Sequence, residues 1–232
     1  LVFAERLCPP PQAKKLRREA VIGIPRVLNM YSYGPFFSAY FQALGIPSSN
    51  IVFSDVTSEA MWREGSRRGS IDQCFPSKVA LAHVHQLLTG MRKKPNIIFF
   101  PIFTTLLTEL ENVLDSCACP TVAGTPQVVK AAFTKEGDSF AQAGARYYDP
   151  VLSFAEPELF EHQLLAFAGP ALDVTESENE HAIRQGYRAL DRFRSSLRDQ
   201  GRAVLEERER EHRPGIVLPP RSALPQRPRA QP

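Results

Sequence analysis

Cys74-Phe75-Pro76-Ser77-Lys78 is the stretch of this sequence best placed to do chemistry. Its thiol stands just before Val79-Ala80-Leu81-Ala82-His83-Val84-His85, which reads as a helix with Pro76 in its first turn. A thiol at a helix start meets free N–H groups and the positive end of the helix dipole. Both favour thiolate, the form that binds a metal or attacks a substrate. Packing as a small hydrophobe is the third use open to the same residue. Lys78 falls one turn into the helix on the side of Cys74. There an ammonium stabilises a thiolate or binds the phosphate or carboxylate of a ligand.

Each use needs company. An iron–sulfur site requires Cys74 and Cys119 near one point with further ligands, which separate loops at one end of a parallel sheet permit. Zinc is the rival metal, with Cys74, Cys117, Cys119 and one of His83 or His85 as its tetrahedral set. The Cys117-x-Cys119 spacing is tighter than the usual C-x2–4-C, however. His83 and His85 are two apart on a helix and point to different sides, so at most one faces Cys74. A Cys74 acting as nucleophile on a bound substrate is a further alternative. Asn29, Tyr31 and Tyr33 follow the first expected strand, where ligand-facing loops lie, and Arg67 and Arg68 sit in a Gly/Ser loop suited to an anion. Asp55 and Asp72 are isolated acids in loops. No Ser–His–Asp order or hydrolytic carboxylate pair is present, and no G-x-x-x-x-G-K-S/T phosphate loop, so the chain is not expected to hydrolyse ATP alone.

The elements that must position these residues can be read in order. Residues 1–20, with Pro9-Pro10-Pro11 and a basic run through Lys14, Lys15, Arg17 and Arg18, read as a linker. Short apolar runs at 21–25, 50–54 and 96–101 predict strands, and a fourth is expected at 121–123. Helices are expected over 35–44, where aromatics recur at three-to-four spacing up to Gly45, and over 58–64, 76–88, 105–114 and 126–133. This alternation predicts an α/β, Rossmann-like three-layer lobe with a mainly parallel sheet over 21–150. Residues 151–213 read as long C-terminal helices, over 156–168 and 178–211, the second carrying Ile183, Tyr187, Leu190, Phe193 and Leu197 on one stripe. Residues 214–232 read as a strand cut short, Gly215-Ile216-Val217-Leu218, and a disordered Pro/Arg-rich tail.

The totals fit a globular protein: 43% hydrophobic, 23% charged and fifteen phenylalanines, enough for a substantial core. The net charge of +3 gathers several positives at the two ends, so nucleic acid is not expected as a partner. No apolar run has the length of a membrane-crossing helix. Four cysteines are too sparse for a secreted disulfide scaffold, and a reducing cytoplasm is the expected compartment.

The run Ile22-Gly23-Ile24-Pro25-Arg26-Val27-Leu28-Asn29-Met30-Tyr31 resembles the opening of a domain attached to bacterial CoA-substrate-specific enzyme activases. These are relatives of the 2-hydroxyacyl-CoA dehydratase and benzoyl-CoA reductase activases. The resemblance continues through Ser54-Asp55, Cys74-Phe75-Pro76-Ser77-Lys78, Cys119-Pro120-Thr121-Val122 and Phe154-Ala155-Glu156-Pro157-Glu158, over roughly residues 20–218. It implies a non-ATPase domain of a radical CoA-dehydratase-type system. In such systems an ATPase module passes one electron to a cluster-bearing dehydratase-type subunit. It also implies that Cys74 and Cys119 are ligand positions for a 4Fe–4S cluster. The implied partners are that ATPase module or subunit, with a CoA thioester as the ligand class for Lys78. Two departures stand out: Ser77 replaces a commoner alanine, and Pro219-Pro220-Arg221-Ser222 replaces a Gly-Arg-Pro-Tyr-like continuation into a second lobe. The chain therefore reads as truncated, with any ligand from that lobe missing. A structural or interaction module without cofactor is the alternative.

Overall fold

The computed structural model describes residues 9–65, 74–108 and 116–215. The chain divides into two compact units, residues 1–190 and 191–232.

In the first unit, β1 (Ile22–Ile24), β2 (Ile51–Phe53), β3 (Ile97–Phe99) and β5 (Arg146–Tyr148) form one parallel sheet in the order β2-β1-β3-β5. β1 is buried at every position, as expected of a strand covered on both faces. Gly23 is required there, because a Cβ would lie 2.7 Å from the ring of Pro95. A second ladder joins β4 (Ile102–Thr105) to β6 (Val151–Ser153). It continues the first, since Phe99 faces Tyr148 and Ile102 faces Val151 in one register. The breaks between them are Phe100-Pro101 on one strand and Asp149-Pro150 on the other. A proline supplies no N–H to a ladder. The neighbouring groups hold the pair together, with Phe100 N–H donating to the Tyr148 carbonyl (2.9 Å) and Ile102 N–H to the Pro150 carbonyl (2.8 Å).

Helices cover both faces. α2 (Met30–Ala43), α7 (Pro157–Leu172) and the first half of α8 (Glu176–Arg210) share an aromatic core with the sheet. In it Phe37, Phe41 and Phe167 ring Phe99, and Phe154 lies 4.3 Å from Phe160. Gly186 of α8 is pressed against the Phe36 ring, which a Cβ would approach to 2.7 Å. Tyr148 reaches Phe167, whereas its neighbour Tyr147 points the other way and donates to the Pro126 carbonyl (2.7 Å). Successive strand residues face opposite sides, so α5 (Pro120–Thr134) covers the face opposite α7. α4 (Phe75–Thr89) packs on α5, and α3 (Glu59–Gly65) on α4, Gly65 lying against the backbone of Ala82. α6 (Ser139–Gln142) is a single turn capped by Asp138, which accepts from the N–H groups of Phe140 and Ala141. The expected three-layer α/β architecture with a mainly parallel sheet is the observed one.

Several local expectations differ from the structure. Residues 11–19, read within a linker, form α1 (Pro11–Glu19), and Arg17 of its basic run is buried. Its guanidinium donates to the carbonyls of Leu44 and Leu172 and makes a two-pronged ion pair with Glu178 at 2.7 and 2.8 Å. The strand expected at 121–123 is the first turn of α5, because Pro120 starts a helix there. Thr105, expected to open a helix, ends β4, and residues 109–114 of that helix lie outside the described residues. The strand and disordered tail expected over 214–232 fall outside them from residue 216 on.

In α8, Ala182, Ile183, Gly186 and Leu190 are buried. In the second unit, residues 191–210 of that helix leave Leu197, Val204 and Leu205 at least half exposed. Among the described residues, no helix is long and apolar enough to cross a membrane.

Candidate functional site

α4 links β2 to the parallel strand β3, and α5 links β4 to the parallel β5. Both helices therefore run back against the strands, and both begin at the carboxyl edge of the sheet, where sites of such folds collect. Each opens on a cysteine. Cys74 is the N-cap of α4 and Cys119 the N-cap of α5, each with extended backbone and a proline in the turn that follows. The Cys74 carbonyl accepts from the N–H groups of Ser77 (3.0 Å) and Lys78 (3.1 Å), and the Cys119 carbonyl from that of Ala123 (2.9 Å). Both thiols are exposed and unbridged. The Cys74 sulfur lies 3.3 Å from the hydroxyl of Ser77, a buried residue. Lys78 is half-buried in the same turn. Beside them the exposed Phe75 packs at a tilt against Trp62, ring centres 5.4 Å apart.

Cys117 lies on the same edge, in a short antiparallel bridge with Thr105. The Ser116 carbonyl accepts from Leu106 N–H, and Ala118 N–H donates to the Thr104 carbonyl. This loop also holds Leu107, whose N–H donates to the Tyr33 hydroxyl (3.1 Å). Tyr33 is therefore a buried brace between α2 and the cysteine loop, not a group facing a ligand, whereas Tyr31 is half-exposed. The side-chain nitrogen of Asn29 is buried with no partner among the described residues. Arg67, Arg68, Asp72 and Cys8 lie outside the described residues.

The histidines of α4 separate as their spacing requires. His83 is wholly buried, its Nδ1 2.8 Å from the Ser54 hydroxyl and its Nε2 2.9 Å from that of Thr57. Ser54 accepts from Arg26 N–H (2.7 Å), which leaves its own proton for Nδ1 and places the ring proton on Nε2, toward Thr57. Burial pushes the pKa of His83 down to about 4; the Arg26 guanidinium adds to this and the Asp55 carboxylate opposes it. Asp55 is paired with Gln86 of α4, accepting from its side-chain nitrogen at 2.6 Å and donating its own N–H to its oxygen at 2.9 Å. His85 lies on another side, 3.9 Å from Glu64. Both ring nitrogens of His83 are thus taken by hydroxyls, and among the described residues the four-ligand zinc set is not assembled.

The arrangement thus gathers three exposed thiols at one edge of the sheet and anchors α4 through His83. Among the described residues, no three His, Cys, Asp or Glu side chains converge as a metal site would require. The His83–Ser54 contact joins a base to a hydroxyl, but Ser54 is fully buried and no substrate reaches it. Sequence reasoning missed this anchor. Its one signal was Ser54-Asp55 at the end of a strand.

Over residues 21–222 the chain matches the model of the family described as CoA enzyme activase uncharacterised domain (DUF2229). No curated protein and no solved structure matches it. With the match covering most of its length and including both helix-starting cysteines, the chain belongs to the CoA enzyme activase uncharacterised-domain family.

Proposed function

We propose that this chain is a non-ATPase domain of a CoA enzyme activase-related protein whose Cys74–Cys119 edge faces a redox partner. The partner is an activase ATPase module or a dehydratase-type subunit, and the role is electron transfer or docking. The observation that carries the reading is the pair of exposed N-cap cysteines on helices that pack together and start at one edge of a parallel sheet. A 4Fe–4S cluster normally takes four thiolate ligands. The described residues present no converging set of three, so they do not fit a complete cluster site. In this reading Cys74 and Cys119 supply two ligands to a cluster that another polypeptide completes. Lys78, half-buried one turn behind Cys74, offers a cation to a CoA phosphate or to an acidic partner.

A second reading, an interaction module with no cofactor, is favoured by that same lack of convergence. Anaerobic reconstitution of the full chain with iron and sulfide, with and without the partner ATPase module, separates the two. The cluster reading expects visible charge-transfer absorption that Cys74→Ala and Cys119→Ala each abolish. If partner binding persists without absorption and survives both substitutions, the chain is an interaction module.

A further inference from the structure

The run Ser116-Cys117-Ala118-Cys119 has a fixed backbone. Leu106 N–H donates to the Ser116 carbonyl (3.0 Å) and Ala118 N–H to the Thr104 carbonyl (2.9 Å). Residues 116–118 therefore pair antiparallel with the end of β4, around the Thr105–Cys117 bridge. Cys119 is held extended at φ −56° and ψ 130°, because a residue before proline is pushed out of the helical region, and Pro120 then opens α5. Side chains of an extended run alternate, and exposure follows: Cys117 and Cys119 are exposed, and Ala118 between them is half-buried. Two free thiols thus leave the same face of one short, pinned run.

Two residues of extended chain span about 6.6 Å between Cα atoms, at the far limit for a disulfide. A sulfur–sulfur bond of about 2 Å closes that span only with strain, whereas two thiolates on opposite sides of one metal ion stand about 4.5 Å apart. Coordination number then selects the ion. Zinc takes four ligands, and no group of even three His, Cys, Asp or Glu converges among the described residues. Copper(I) is soft, prefers thiolate, and is satisfied by two of them in a near-linear arrangement. Binding releases both thiol protons and leaves a bis-thiolate complex carrying one negative charge. That charge sits at the N-terminus of the 15-residue α5, the end of the helix dipole that favours an anion.

We propose that Cys117 and Cys119 form a two-thiolate site for copper(I). The pair shares Cys119 with the cluster reading but does not rest on it. Copper needs Cys117 and not Cys74, whereas the cluster reading needs Cys74.

The test is anaerobic titration of the reduced 232-residue chain with copper(I) held by bicinchoninate, whose coloured complex fades as the protein takes the metal. A single equivalent is expected to transfer, and copper K-edge absorption of the product should show two sulfur neighbours. Cys117→Ser and Cys119→Ser should each weaken transfer about a hundredfold or more, since each leaves one thiolate. Both side chains are exposed, so circular dichroism of the variants should be unchanged. Cys74→Ser should alter transfer less than about twofold, a difference too small to mark a lost ligand. The proposal is overturned if no copper transfers, or if Cys117→Ser takes copper as well as the unmodified chain does. It is equally overturned if Cys74→Ser is as damaging as Cys119→Ser, because the ion then bridges the two helix starts instead.

Discussion

Burial between two hydroxyls decides what His83 contributes. The ring is neutral at physiological pH and ties α4 to the end of β2 through Ser54 and Thr57. Its folded pKa of about 4 lies below the ordinary 6.5, so between those values the unfolded chain binds the proton that the folded chain refuses. Stability then rises with pH across this window and is lost as pH falls from about 6.5 toward 4. The slope approaches 1.4 kcal/mol per pH unit, for a total on the order of 3 kcal/mol. Urea unfolding at intervals from pH 7 to 4.5 should show this decline, and His83→Asn should flatten it. An unchanged slope in the variant would mean that other groups carry the acid sensitivity. Glu178, whose carboxyl is held down chiefly by its hydrogen bond from Arg17, adds its own loss only at lower pH, below the ordinary carboxylate value.

At the scale of elements, Arg17 shows why α1 was not legible. A helix is recognised by apolar residues on one stripe, and α1 is mostly charged, docking through a guanidinium that caps the carbonyl ends of α2 and α7 and pairs with Glu178 of α8. α2 and α8 were legible because their aromatic and aliphatic residues recur at three-to-four spacing. The helix starts at Cys74 and Cys119 differed in outcome. Pro76 signalled the first, whereas the β-branched Thr121-Val122 suggested a strand where Pro120 opens α5. β5 and β6 escaped notice because each is three residues long and Pro150 separates them. Cys74 stood out through Pro76 and Cys119 through the family resemblance, but the His83–Ser54 anchor joins residues 29 apart, and no local pattern encodes it. Removing one member of a buried ion pair strands the other. Arg17→Ala should therefore cost about 3–5 kcal/mol in urea unfolding, and the paired change Arg17→Met with Glu178→Leu should restore most of it. A loss below about 1 kcal/mol for Arg17→Ala would show that α1 contributes little to the first unit.

At the scale of the molecule, stability is distributed unevenly along one continuous helix. α8 places Ala182, Ile183, Gly186 and Leu190 in the core of the first unit, and Asn179 there accepts from the hydroxyl of the buried Tyr40 (2.7 Å). Beyond Leu190 no described residue of α8 is buried, and the side-chain bonds of the remaining turns are local ones such as Arg198 to Ser195 (3.4 Å) and Gln200 to Ser196 (3.3 Å). Such pairs contribute only about 0.2–0.5 kcal/mol each, whereas every buried aliphatic side chain contributes about 1.5–3 kcal/mol. Backbone amides of residues 191–210 should therefore open locally, and those of 182–190 only with the larger unit. Hydrogen exchange read by mass spectrometry on the full chain should show faster exchange beyond residue 191, by about tenfold for each 1.4 kcal/mol of difference. Equal protection along the whole helix would require that residues 191–210 bury apolar surface against something in solution. Leu197, Val204 and Leu205 would then be the residues to substitute first.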